Sequence, residues 1–578
     1  MTRLRTTAAL AALALCAGLL GVVGPGHGSE PAAVFSPQLV RVHTATAAER
    51  AVLAGLALDG TEHAMPRHTD LVLHTAADRD RLAASGLEWD VTIADLLARE
   101  AADNRANAAY AARTSRSSLP SGRTSYRTLE DYDREMLGLA KRRPSLVRTF
   151  TLGRPTLDGR TVRALEIGSD VRRPASGRPT FVMLGLHHAR EWPSAEHTIE
   201  FAHDLVRGYG RNPRITRLLD RLRVVLVPVV NADGFDLSRT SGGLVDLNLL
   251  NPLDPSGTVI PTATQVLTPG MAYLRKNCRL VDGLDTPDGT CGAMLSTPAG
   301  FGLGVDLNRN YGMWWSGPGA AGQVPSATEF HAGLLDPRYH GAAPFSEPES
   351  RNVRDLFLSR SATGMITNHT FGNLVLRPWS GAPDHVTDAG LRVGLARDER
   401  AMAALGARLA RQNGYRNQRS YALYDGMGTT EDWAYGATGT FGYTFEIGAT
   451  EFHPPFEDVV DHYSRNRLAY LIALEDAADP AHHAVLRGRA PAGARLTVTR
   501  DASTPTWDGV SRATLRTSIV VPAGGRFTWH LNPSTRPFRA QPERYTLTCR
   551  VAGEVRQTTT VRLDRGQVRS LFLLGCGR

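Results

Sequence analysis

The rhythm of hydrophobic and polar positions changes along the chain. Over residues 30–105, Leu39, Val40 and Val42 predict a strand, and Ala45 to Leu56 a helix. Asp70 to His74 predicts a second strand, and Leu82 to Leu87 a helix with Gly86 near its end. Together they predict a small α/β unit. From Ala102 to Ser125 the apolar period disappears, and Ala, Arg, Ser and Gly dominate. That composition predicts a flexible linker over 106–125, and Arg113, Arg116 and Arg123 offer it to a protease.

Between 126 and 478, helical and strand patterns alternate. Tyr126 to Ala140 is amphipathic at helical spacing, Phe181 to Leu186 is a compact apolar run, and Glu196 to Val206 reads as a helix. Val224 to Val230 reads as a buried strand, Ser346 to Ser359 as a helix and Gly364 to Thr367 as a further apolar segment. Asp398 to Gln412 is helical, Tyr443 to Ile447 a strand and Val459 to Asp476 a closing helix. This alternation predicts an α/β fold with helices on both faces of a sheet. Leu237 to Thr268, rich in Asp, Asn, Pro and Gly, predicts a surface excursion.

From 483 to 578 the period shortens to two. Leu496 and Val498 alternate with polar residues, as do Phe527, Trp529 and Leu531, then Tyr545 and Leu547, then Val561 and Leu563. Short alternating runs between Gly and Pro turns predict a β-sandwich domain.

A length of 578 residues implies more than one domain. Apolar and charged contents of 42% and 21% are ordinary for a globular protein. The net charge of +9 is not gathered into basic runs, which argues against nucleic acid as a partner. At the N-terminus, Arg3 and Arg5 precede an apolar stretch from Ala8 to Val23 that ends in Gly24, Pro25 and Gly26. This predicts a secretory signal over 1–28. The stretch is short for a spanning helix, which needs about 20 apolar residues. A secreted chain with no membrane association after signal removal is expected. Leu15 before Cys16 argues against a lipoprotein signal. Signal removal leaves Cys278, Cys291, Cys549 and Cys576, which allow three pairings. Proximity in sequence favours Cys278–Cys291 and Cys549–Cys576.

The strongest local signal is Leu186-His187-His188-Ala189-Arg190-Glu191-Trp192, directly after an apolar strand. Ligand sites of α/β sheets lie at such strand ends. A turn there lets the His188 imidazole and the Glu191 carboxylate converge on one ion, and zinc takes N and O ligands at about 2.0–2.2 Å. An isolated HxxE is common, so the remaining motifs decide. Leu274-Arg275-Lys276, Asp306-Leu307-Asn308-Arg309-Asn310 and Ile366-Thr367-Asn368-His369-Thr370 follow in order. Tyr339-His340-Gly341 and Ser346-Glu347-Pro348-Glu349 precede the last of these. Then come Tyr424, Asp432-Trp433 and Thr444-Phe445-Glu446. In this order the segments resemble the zinc carboxypeptidases related to pancreatic carboxypeptidase A, over roughly residues 126–478.

The resemblance implies a carboxypeptidase-like mixed central sheet, a preceding small α/β prodomain and one Zn2+. His188 and Glu191 look like the first two ligands and His369 like the third. Asp306 resembles the carboxylate that orients the first histidine, Glu446 the general base and Arg275 the oxyanion stabiliser. Arg309, with Asn308 and Tyr424, resembles a clamp on the substrate's terminal carboxylate, and Arg190 a further positive residue on the substrate path. Glu431 stands where the family places the base of the side-chain pocket, which favours a basic or mixed preference. His187 is expected beside the ligand or facing solvent, and His197 and His340 are expected to be structural. The implied partners are peptides or proteins with a free C-terminus and an activating protease. A cell-wall peptide amidase on the same fold and a non-catalytic binding homologue are the alternative readings.

Overall fold

The computed structural model describes residues 35–65, 67–172, 176–240, 271–279, 291, 303–320, 336–539 and 543–577. The expected signal segment and most of the Leu237–Thr268 excursion lie outside the described residues. No helix among the described residues is long and apolar enough to cross a membrane.

The N-terminal unit contains strands β1 (Gln38–His43), β2 (Asp59–Met65), β3 (His68–Leu73) and β4 (Trp89–Ile93), with helices α1 (Ala47–Gly55) and α2 (Ala76–Ala84). The strands form an antiparallel sheet in the order β2-β3-β1-β4. Both helices begin with capping boxes, Thr46 with Glu49 and Thr75 with Asp78. The second box starts the helix at Ala76, ahead of the Leu82 expected from apolar spacing. The apolar pattern also missed β2 and β4, which sit at the sheet edges and carry polar residues where a central strand would be apolar.

The linker expectation is corrected in part. Helix α3 (Leu96–Arg113) runs through Ala102 to Arg113, started by Asp95, whose carboxylate accepts the Leu97 and Ala98 amides. Alanine-rich sequence favours helix even without apolar periodicity. Its Leu96, Asp103 and Tyr110 are spaced seven apart and buried, so one narrow stripe packs. Tyr110 meets Phe456, with ring centroids 6.3 Å apart. Beyond the helix, Leu119 is buried and Arg123 donates to Glu135 at 3.1 Å.

The large sheet has eight strands in the order β11-β10-β12-β9-β7-β8-β6-β5. They are β5 (Val147–Pro155), β6 (Thr161–Ile167), β7 (Thr180–Leu184), β8 (Arg223–Val227), β9 (Ala362–His369), β10 (Leu374–Arg377), β11 (Arg416–Arg419) and β12 (Phe441–Glu446). Strands β12, β9, β7 and β8 run parallel, whereas β6, β5 and β10 bring antiparallel pairings, so the sheet is mixed. The continuous apolar runs of β7 and β8 are buried throughout, as a parallel centre requires. Helices α4 (Leu129–Arg142), α5 (Trp192–Gly208), α6 (Pro213–Arg221) and α7 (Ala232–Thr240) follow in sequence, with later helices at Pro348–Leu358, Glu399–Asn413 and Phe456–Ala477. Buried Arg127 ties α5 to α4. It donates to Glu200 at 2.6 Å and Glu135 at 2.9 Å, and pairs with Glu196.

The C-terminal region is a strand-rich sandwich. One sheet joins β18 (Arg526–Leu531), β13 (Ala484–Arg489) and β21 (Val568–Phe572). The other joins β17 (Thr514–Val520), β14 (Arg495–Asp501), β19 (Tyr545–Val551) and β20 (Glu554–Val561), beside a small pair β15 (Thr504–Pro505) and β16 (Val510–Ser511). The alternating Leu496, Val498, Phe527, Trp529, Leu531, Tyr545 and Leu547 are all buried. Disulfides join Cys278 to Cys291 and Cys549 to Cys576.

Candidate metal centre and active site

Three parallel strands end at the same edge, and each delivers part of the site. Strand β7 ends at Leu184, and the chain turns sharply through Gly185 to His188 and Glu191 before α5 begins. Gly185 is required there: a Cβ would lie 2.6 Å from the Pro228 carbonyl and 2.7 Å from that of Ser194. The Ser194 hydroxyl accepts the Leu186 amide at 2.9 Å and donates to the Glu191 carbonyl at 2.6 Å, which locks the turn. His369 is the last residue of β9, and Glu446 the last of β12. The two are opposite each other in the β9–β12 ladder.

His188, Glu191 and His369 are buried, and their donor atoms lie within 4.8 Å of one another. His188 Nδ1 is 2.6 Å from one Glu191 oxygen, and His369 Nδ1 is 2.9 Å from the other. The two Nδ1 atoms face each other at 3.2 Å. Asp306 meets His188 Nε2 at 3.0 Å, so the proton of this imidazole belongs on Nε2 and the Nδ1 lone pair points at Glu191 and His369. Two imidazole nitrogens and a carboxylate converging this closely suit a cation held between them, and the N, N, O donor set is one zinc accepts. The charges fit as well. Burial alone would raise the Glu191 carboxyl, but His188 and His369 hold it well below the usual carboxylate range. Asp306 is likewise held far below that range against burial, by Arg275, His188 and Arg309. Arg275 Nε and Nη2 reach Asp306 Oδ2 at 3.1 and 3.0 Å.

The other predicted residues gather around this centre. Arg309 donates to the Asn308 carbonyl at 2.8 Å, and its guanidinium carbon lies 5.8 Å from the centre of the Tyr424 ring. The Tyr424 loop reaches Arg309 because Gly428, at φ +85°, leaves no Cβ against the Arg309 carbonyl. Asn308 Oδ1 accepts the Thr430 amide at 3.0 Å and the Thr430 hydroxyl at 2.9 Å. A small cavity is lined by Asn308, Arg309, Tyr424, Glu431 and Glu446 together. Glu431 is buried, and Oε1 accepts from the hydroxyls of Ser380 at 3.2 Å and Ser420 at 3.1 Å. Its Oε2 has no hydrogen-bond partner among the described residues. Next to it, burial and the Glu431 charge push the Asp432 carboxyl well above its ordinary value.

Arg190 is not open to the substrate path in this form. It is fully buried, and its Nη2 donates to Asp59 Oδ1 of β2 at 2.9 Å, while Nη1 pairs with Asp59 Oδ2. His74 also meets Asp59, at 2.8 Å. The N-terminal unit thereby covers the site, and a chamber of about 720 Å3 remains between Leu58, Asp59 and Leu71 on one side and Arg275, Arg309 and Tyr424 on the other. His187 does not face solvent. It is buried against the hydroxyls of Tyr311 at 2.9 Å, Thr367 at 3.1 Å and Thr430 at 3.1 Å. Burial and the nearby His369 and His188 keep its imidazole neutral. His197 meets the Tyr470 hydroxyl at 3.0 Å and His340 the Gly341 carbonyl at 2.8 Å, both away from the ligand triad. Sequence reasoning missed Thr430, Ser380 and Ser420, which carry no signal outside the fold.

Comparison with known proteins places the chain in a family. Carboxypeptidase A2 of Mus musculus is 26% identical over 339 residues, 57% of this chain and 64% of its own length. The chain thus spans a little under two thirds of that relative. Carboxypeptidase B of Bos taurus is 26% identical over 383 residues, 64% of this chain and 73% of its own. Among solved structures, carboxypeptidase A from Helicoverpa armigera superposes with a TM-score of 0.59 at 20% identity, covering 77% of this chain and 98% of that one. Thrombin activatable fibrinolysis inhibitor superposes at 0.55 and 17% identity, over 77% of this chain and 99% of its own. The zinc carboxypeptidase family profile matches residues 132–469, more than half of the chain, and the chain belongs to that family.

Proposed function

We propose that this protein is a secreted zinc exopeptidase that removes C-terminal residues from peptides and proteins, and that it is made as a zymogen. The observation that carries the reading is the convergence of His188, Glu191 and His369 beside Glu446, with Arg309 lining the same cavity as Glu446. His188, Glu191 and His369 would hold the zinc ion, which supplies Lewis acidity when bound. Glu446 takes a proton from the attacking water at its carboxylate and passes it to the leaving amine. Arg275, fixed by Asp306, donates to the oxyanion that develops on the scissile carbonyl. Arg309, Asn308 and Tyr424 bind the terminal carboxylate, which limits cleavage to chain ends.

The pocket position of Glu431 supports a basic or mixed preference for the C-terminal residue. One oxygen is satisfied by Ser380 and Ser420, and the other is left for a ligand's cationic group. The domain order that fits this reading is a signal over 1–28, a propeptide over 30–105, a connecting segment over 106–125, a catalytic domain over 126–478 and a β-sandwich over 483–578. Capture of Arg190 by Asp59 supports latency of the uncut chain. The test is mass spectrometry of a peptide library digested before and after limited trypsin treatment, with and without a chelator. Chelator-sensitive, stepwise loss of C-terminal Arg or Lys, appearing after trypsin, is the expected result. Internal cleavage, or equal activity of the uncut chain, would overturn the exopeptidase or the zymogen reading respectively.

A further inference from the structure

At the seam between the large sheet and the β-sandwich lies a cavity of about 200 Å3, none of whose lining residues belongs to the peptidase motifs. Arg148, Arg178, Arg223 and Arg360 line it, and Glu166 is the only acidic residue among the described residues that does. Glu166, buried on β6, stands opposite Arg148 of β5 in the ladder. Its Oε2 accepts from Arg148 Nη2 at 2.5 Å and from Arg360 Nη1 at 3.0 Å, and its Oε1 from Arg223 Nη1 at 3.0 Å. Arg178 is committed elsewhere through Nη1, to the Ser169 carbonyl at 2.8 Å and hydroxyl at 2.9 Å. Among the described residues that line the cavity, one carboxylate stands against four guanidiniums.

Arg223 is buried, whereas Arg148, Arg178 and Arg360 are partly exposed, so three guanidiniums stand where an anion from solution can reach them. Burial, and then the neighbouring Arg178 and Arg148, pull the Arg223 guanidinium below its ordinary range even with Glu166 beside it. The cavity also has an unused donor. The Ser361 hydroxyl is buried on its wall and has no hydrogen-bond partner among the described residues. The opposite wall comes from the sandwich, through Thr517, Ser518 and Trp529.

We propose that this seam is a binding site for a phosphate group, free or esterified, taken by the Arg148, Arg178 and Arg360 guanidiniums with the Ser361 hydroxyl. Planar guanidinium forks match phosphate oxygens in pairs. The cavity is smaller than the roughly 300–1,000 Å3 typical of drug-sized ligands, which suits one such group. A ligand held between both walls would also brace the sandwich against the peptidase sheet.

Isothermal titration of the full chain with inorganic phosphate and with glycerol 1-phosphate, at ionic strength matched by chloride, tests this. Saturable binding and a concentration-dependent rise in melting temperature are expected. Tighter binding of glycerol 1-phosphate identifies an esterified group as the ligand, and equal or weaker binding identifies free phosphate. Arg148→Gln with Arg360→Gln is expected to weaken binding at least tenfold. Arg178→Gln, which leaves the Glu166 pairs intact, serves if the double variant does not fold, and Ser361→Ala is expected to weaken binding more mildly. Absence of saturable binding, or unchanged affinity in the folded arginine variants, would overturn the proposal.

Discussion

Asp59 and Arg190 form a buried ion pair across two parts of the chain, with Arg190 Nη2 donating to Asp59 Oδ1 at 2.9 Å. Arg190 directly precedes Glu191, so the N-terminal unit grips the turn that carries the candidate metal ligands. Burial would raise the Asp59 carboxyl, but Arg190 and His74 hold it far below its usual range. The Asp59 carboxyl therefore stays ionised while the unit is docked.

Asp59→Asn keeps the shape and removes the charge. Leaving a buried guanidinium without its counterion costs about 3–5 kcal/mol. Docking of the N-terminal unit should weaken, and the uncut chain should gain activity on a peptide ending in Arg by at least about tenfold, equivalent to about 1.4 kcal/mol. Initial rates of the intact variant and the intact wild type, both checked for nicking by mass, measure this. Equal rates for the intact variant and the intact wild type would show that this pair does not control access to the site.

Glu446→Gln preserves the strand and the pocket but cannot accept a proton. Its kcat should fall roughly 10^2–10^4-fold, with KM and melting temperature little changed. Full turnover in this variant would remove Glu446 from the role of general base.

Glu431→Gln should invert the side-chain preference. The ratio of kcat/KM for C-terminal Arg over C-terminal Phe is expected to drop by at least about 30-fold, equivalent to about 2 kcal/mol lost with a buried charge pair. A ratio that stays constant would mean that Glu431 does not read the substrate.

Ligand removal should be visible without any substrate. An ion present at 1,000 times its Kd and bound only by the folded state adds about 4 kcal/mol of stability. Chelation should lower the melting temperature of the mature protein, and added zinc should restore it. In a variant carrying His369→Ala, neither treatment should move the transition.

Acidic groups where α3 meets the peptidase domain predict a pH dependence. Burial, and secondarily Asp103, raise the Glu451 and Glu100 carboxyls to about 7, with Arg99 bonded to Glu451 at 2.6 Å. Their folded values lie above the ordinary carboxylate value, so the docked form favours the protonated acids. That contribution is complete below about pH 4.5 and is lost as pH rises through about 7. Hydrogen exchange of α3, corrected for intrinsic rates, should be faster at pH 8 than at pH 5.5. Equal protection would remove these carboxylates from the docking balance.

Local chemistry in the chain was enough to place His188 and Glu191 at a strand end, because an apolar run followed by a sharp turn dictates that geometry without any partner. Ordered companion motifs pointed to His369, Asp306, Arg309 and Glu446. The sandwich was legible in the alternation of Leu496 with Val498 and of Phe527 with Trp529, since a half-buried strand has a period of two. The edge strands β2 and β4 and helix α3 were not, because polar and alanine-rich segments take their structure from caps and partners more than from an apolar period. Only tertiary structure could decide that Asp59 reaches Arg190 across 131 residues, that Glu431 turns its carboxylate into the Arg309 cavity, and that arginines from β5, β8 and the segment after Pro348–Leu358 share one carboxylate. Each is a meeting of side chains far apart in sequence. Charge and burial determine what such a meeting does, but the folded sheet determines that it happens.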